Sequence, residues 1–231
     1  MTASENRKDN ERIKAVVWAV LLVWLVLTFI LGAGGTFVRK PGALPLPILA
    51  GVLAPILVFL AAFRFIGSFR RFVMSLDLQV AAGVQAWRFA GLGFIALYAY
   101  GVLPGLFAWP AGLGDIAIGV TAPWVALTLR DKPDFAAGRL FRIWNLLGIL
   151  DLLVAVSLGA LSSVLDIAVS QKIASFPMAR MPLVLIPVFL VPLFLMLHVA
   201  SLFQARCLAA SGEAYWWACP PALGGPAETP A

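Results

Sequence analysis

Six separate apolar stretches, each long enough to cross a bilayer as a helix, constrain this chain more than any other feature of its sequence. A transmembrane helix takes about 20 mainly apolar residues, rising 1.5 Å each, to span about 30 Å of hydrocarbon. The stretches run over 15–34, 46–66, 82–103, 111–129, 143–161 and 183–205. The expected fold is therefore an all-α polytopic transmembrane bundle of six spans, its partner the lipid bilayer. Between the third and fourth spans, residues 101–114 carry no charge but include two prolines and four glycines, which predicts a turn at the interface or a re-entrant dip.

Composition excludes the alternatives. Only 12% of the residues are charged and 62% are apolar, where a soluble domain carries about 25% charged residues. The net charge of +6 comes from small basic groups between apolar runs, a distribution that orients a membrane protein and does not suit nucleic acid. Twelve Lys and Arg fall in one set of alternate connections: Arg7, Lys8, Arg12, Lys14, Arg64, Arg70, Arg71, Arg130, Lys132, Arg139, Arg142 and Arg206. Four fall in the other, namely Arg39, Lys40, Lys172 and Arg180, and Arg88 lies inside a span. The positive-inside rule then predicts that both termini are cytoplasmic. Trp87, Trp124 and Trp144 are expected near the inner interface and Trp109 near the outer one.

The flanking pieces are short. Residues 1–14 form a charged N-terminal segment; the run from Ala15 to Leu31 exceeds the 7 to 15 residues usual in a signal peptide, which predicts an uncleaved anchor. Residues 68–77 place Phe69, Phe72, Val73 and Leu76 on one helical face beside Arg70 and Arg71, the pattern of an interfacial helix on an anionic leaflet. The Pro, Gly and Ala-rich tail 207–231 offers no core, so no soluble catalytic domain is expected and the chemistry is sought within the bilayer. Cys207 and Cys219 have neither metal spacing nor a disulfide framework and read as free thiols in a reducing compartment.

Charged side chains at mid-bilayer cost about 2.5 to 3.5 kcal/mol on insertion scales, so each is a functional candidate. Here they are Arg88, Asp115, Asp151 and His198, with Gln85 and Asn145 as cheaper polar residues nearer the cytoplasmic end. Counting 1.5 Å per residue from that end puts Arg88 at roughly 9 Å and Asp151 and His198 at roughly 12 Å, one shared layer. Asp115 comes out at roughly 22 Å and is expected to make a different contact. A carboxylate, an arginine and a histidine able to change charge near neutral pH are the parts of a proton or ion pathway. They are equally the parts of a static salt bridge fixing helix packing.

Three further patterns bear on that layer. Gly112, Asp115, Gly119, Ala122 and Ala126 form a small-residue stripe, as do Trp144, Gly148, Asp151, Ala155 and Gly159, so both aspartates face protein. Residues 112–121 align without gaps on 148–157, a weak internal echo on antiparallel helices. Pro182, Pro187 and Pro192 predict kinks in the sixth span.

Catalytic motifs are missing. Ser157 and the single histidine are separated by roughly 9 Å in depth, too far for a hydrolase dyad. One histidine cannot supply two haem ligands, no His, Cys or carboxylate set has zinc spacing, and no phosphate loop occurs. No cofactor or metal is expected, and no enzyme activity.

Residues 85–88 (Gln-Ala-Trp-Arg), the segment 103–115, Trp144-Asn145 with Asp151, and Pro192 with His198 resemble a family of uncharacterised bacterial multi-pass inner-membrane proteins. The resemblance spans most of residues 80–205; it implies a bacterial inner-membrane location and brings no activity or substrate. Three functions are then open, in order: transport of a proton, ion or small solute; a non-transporting scaffold, sensor or complex subunit; and a membrane-embedded lipid-modifying enzyme. Any partner protein, including a second copy, is left open.

Overall fold

The computed structural model describes residues 3–39, 43–169 and 176–209, and every regular element among them is helical. The elements are α1 (Ala3–Ala33), α2 (Leu46–Phe65), α3 (Gly67–Met74), α4 (Leu78–Val84), α5 (Leu92–Ala99), α6 (Gly105–Asp131), α7 (Arg139–Val169) and α8 (Val191–Ala209). Six helical spans are long and apolar enough to cross a membrane: Glu11–Ala33, Leu46–Phe65, Leu78–Ala99, Gly105–Asp131, Arg139–Val164 and Ile186–Ala209. The chain is a multi-pass membrane protein whose apolar helices require a lipid bilayer. Lys40, Lys172, Cys219 and most of the tail lie outside the described residues.

Local chemistry sets the helix ends. Asp77 accepts hydrogen bonds from the backbone N–H groups of Gln79 (2.8 Å) and Val80 (3.3 Å), capping α4. This cap starts the third span at Leu78, four residues before the apolar run alone suggests. The span ends at Gly101, whose φ of +68° needs a residue without Cβ. There Val102 N–H reaches Leu97 C=O (2.8 Å) and Gly101 N–H reaches Tyr98 C=O (2.9 Å), a Schellman closure. α6 begins immediately after Pro104, so the predicted 101–114 turn or re-entrant dip is a short turn, and Pro110 lies inside the helix. Proline near the start of a membrane helix removes one N–H, a loss that neighbouring helices absorb.

Residues 67–74 form a helix with Val73 buried, and Gln204 Nε2 donates to Val73 C=O (2.9 Å) and Leu76 C=O (3.0 Å), tying that segment to α8. One other expectation changes. Cys207 is disulfide-bonded, not a free thiol; the compartment argument concerned redox poise and carried no information on whether thiols meet.

α6 is the centre of the bundle. Phe107, Ala111, Gly112, Ile118, Gly119, Ala122 and Val125 are buried along it, and the third span, α7 and the connections on either side pack around this helix. α1 is peripheral, with Val16, Trp18, Val20 and Val23 exposed, the face a lipid-contacting helix presents. Polarity is inverted relative to a soluble protein, since Gln85, Arg88, Asn145, His198, Ser201 and Gln204 are buried. The sixth span opens as a π-helical turn over Ile186–Leu190 with Pro187 near its start, and Pro192 opens α8. The missing proline N–H groups let the backbone widen there.

Candidate functional site: a guanidinium between two carboxylates

The third span is not one α-helix. Between α4 and α5, Gln85–Gly91 winds as a 3₁₀ segment, a tightening that inside a helix often marks a functional position. Glycines on α6 let this segment press directly on that helix. A Cβ at Gly119 would collide with the Phe89 backbone, and Gly91 and Gly112 meet at carbonyl contact, a Cβ on either falling 3.0 or 3.1 Å from the other's oxygen. The close approach buries Arg88, which is 2% exposed.

Its guanidinium is held from four directions. Arg88 Nε donates to Asp115 Oδ1 on α6 at 2.7 Å, and Arg88 Nη2 donates to Asp151 Oδ2 on α7. Nη1 donates to the Gly148 carbonyl (3.3 Å) and to His198 Nε2 on α8 (3.1 Å). An arginine can only donate, so Nε2 is the acceptor and the imidazole proton sits on Nδ1. Nδ1 donates to Asn145 Oδ1 at 2.9 Å, and Asn145 Nδ2 donates to the Phe141 carbonyl at 2.9 Å. The chain of donors is consistent throughout and makes His198 neutral. Trp144 covers the imidazole edge-on at 5.4 Å, and its indole N–H reaches the Thr121 hydroxyl at 2.9 Å.

Glycines also provide the floor. A Cβ at Gly148 would overlap the His198 ring, one at Gly114 would overlap the Asp151 carboxylate, and one at Gly91 would sit 2.5 Å from Asp115 Cβ. Each polar side chain thus rests where a neighbouring helix has no side chain.

The structure brings Arg88, Asp151 and His198 into one cluster and adds Asp115, which corrects the expectation of a separate contact. With α4 starting at Leu78 and the 3₁₀ segment rising about 2.0 Å per residue, Arg88 lies about 17 Å along its span, not 9 Å. Asn145 belongs to the cluster as the partner of His198, whereas Gln85 stands apart, 1% exposed with Nε2 3.4 Å from the Phe194 carbonyl. Trp144 is buried against His198 and does not join the interfacial belt, unlike the exposed Trp87 and Trp124. Gly91, Gly114 and Thr121 went unrecognised; Gly114 directly precedes Asp115, but a glycine seat needs the opposing helix to be visible.

Formal charge does not balance. One guanidinium faces two carboxylates, so the cluster carries one unit of negative charge when both acids are ionised. Each acid gives one oxygen to Arg88, and their side chains stay 14% and 12% exposed while Arg88 is at 1%. Asp115 also lines a cavity of about 60 Å³ bounded by α2, α5, α6, α7 and the segment from Met178 to Val191. Asp115 is the one charged residue in that wall among the described residues. Among the described residues no group of three metal-ligating side chains occurs.

Neither curated proteins nor solved structures return a match to this sequence. A family model matches residues 44–206, from the start of α2 through most of α8 and including every residue of the cluster. The chain belongs to the family described as Domain of unknown function (DUF8737).

Proposed function

We propose that this protein is a bacterial inner-membrane protein, both termini cytoplasmic, that moves a proton or another small cation or solute through the layer of Arg88, Asp115, Asp151 and His198. The observation that carries the reading is the shared guanidinium: two acids and one base leave a place for one positive charge. A proton on either carboxylate, or a cation beside it, brings the cluster to neutrality, which a low-dielectric interior favours. His198, accepting from Arg88 and held by Asn145, fixes the guanidinium against the acids. The π-helical turn at Ile186–Leu190 gives the sixth span a point at which to flex, and its Ile186 and Pro187 line the cavity that Asp115 also lines. Proton flux into liposomes containing the purified protein, compared with aspartate-to-asparagine variants, tests this reading.

One observation favours a second reading, a non-transporting scaffold, sensor or complex subunit. Every nitrogen of Arg88 already has a partner, as a purely structural crosslink of four spans would have. Absence of flux in the parent protein would move this reading to first place.

A further inference from the structure

The cavity beside Asp115 has a composition that names a ligand. Its walls are apolar, with Ile48 from α2 and Pro45 just before it, Phe94 and Phe107 packed edge-to-face at 5.4 Å, and Ala155 and Gly159 from α7. Ser163, the one hydroxyl there among the described residues, is donated back to the Gly159 carbonyl at 2.9 Å. Asp115 also lines the cavity, gives Oδ1 to Arg88 and belongs to a cluster with one unit of negative charge when both acids are ionised. A cavity of about 60 Å³ holds roughly four to six water-sized positions, the bulk of one small ring or a short branched chain.

We propose that this cavity binds a small hydrophobic primary ammonium compound, its hydrocarbon body between α2, α6 and α7 and its ammonium N–H donated to Asp115. Charge decides among ligands of that size. A carboxylate would meet the unbalanced negative charge of the Asp115–Asp151 pair. A hydrocarbon would fit the walls but offer the free carboxylate oxygen no donor, and an alcohol would offer one neutral donor and no charge. An ammonium supplies the missing positive charge and up to three donors, and its body covers the apolar wall. The inference deepens the transport reading by giving it a cargo class; it rests on that reading for movement, while the binding stands on the cavity and the charge alone.

The test uses the purified full chain in lipid nanodiscs with three matched probes, cyclopentylammonium, cyclopentanol and cyclopentanecarboxylate, against empty nanodiscs to remove lipid partitioning. Saturation-transfer NMR and calorimetry read the binding. Cyclopentylammonium should bind, the carboxylate should not, and Asp115→Asn should weaken the ammonium about 10- to 100-fold, the worth of one charge-assisted hydrogen bond. Gly159→Leu fills the cavity while leaving the acid in place, and should abolish binding in a protein whose helicity and elution are unchanged. Equal binding of the alcohol and the ammonium, or ammonium binding untouched by Gly159→Leu, would overturn the proposal in favour of an apolar pocket or a surface site. Ammonium binding without any flux would uphold this site and remove the transport reading; proton flux without ammonium binding would do the reverse.

Discussion

Asp115 on α6 and Asp151 on α7 each give one carboxylate oxygen to the same guanidinium, so the two longest described antiparallel helices of the core are joined through a third-span side chain that is 2% exposed. The arrangement differs from a simple buried ion pair in what removing one member does. Neutralising one acid leaves a balanced pair, whereas neutralising the base leaves two carboxylates facing each other.

That asymmetry gives the first prediction. Arg88→Met should destabilise the bundle by about 3 to 5 kcal/mol, the cost of stranding buried charge. Asp115→Asn and Asp151→Asn should each cost much less, and the double variant, which strands Arg88 alone, should cost more than the sum of the two. Equilibrium unfolding in mixed micelles checks the ordering, and simple additivity would contradict the shared geometry.

Glycine seats give the second. Gly119→Ala puts a methyl into the Phe89 backbone and should cost roughly 1 to 3 kcal/mol. Gly93→Ala, where nothing lies within 4 Å of the added methyl, should be neutral or stabilise by about 0.5 to 1 kcal/mol through helix propensity. Thermal unfolding of the two variants side by side reads the difference.

The third concerns a proton position. His198 is the chain's one histidine, so nitrogen NMR of the imidazole is unambiguous. A neutral ring protonated at Nδ1 and bare at Nε2 is expected at neutral pH. Arg88→Met should remove the partner that fixes this tautomer, and the Nε2–H form in the parent protein would contradict the hydrogen-bond chain.

Topology supplies the fourth. Reporter fusions after Asp134 should score cytoplasmic and fusions at Gly101 or near Lys172 external, as the twelve-to-four distribution of basic residues requires. The opposite pattern would invert the orientation without altering the helices.

The spans were legible because apolar length alone selects them, while the stop at Gly101 was not, because four glycines in residues 101–114 gave no sign of which one takes the left-handed turn. Counting grouped Arg88 with Asp151 and His198 but placed it too shallow and left Asp115 out, because the count began at Ala82 and assumed a uniform rise, while the Asp77 cap and the 3₁₀ segment both push Arg88 deeper. The seats at Gly91, Gly114 and Gly148 depend on which helices face each other, and a single sequence holds no record of that. Proline at 110 misled in the other direction, since a breaker in water is tolerated inside a membrane bundle.

The central claim is that the unbalanced acid in the Arg88 cluster carries a proton or cation across the membrane, and flux through purified protein tests it most directly. With an inward pH gradient imposed on liposomes, the parent should acidify the lumen above empty liposomes. Asp115→Asn and Asp151→Asn, each of which leaves a balanced pair and a folded bundle, should both lose that flux. Absence of flux in the parent, or flux that persists in both variants, would contradict the account.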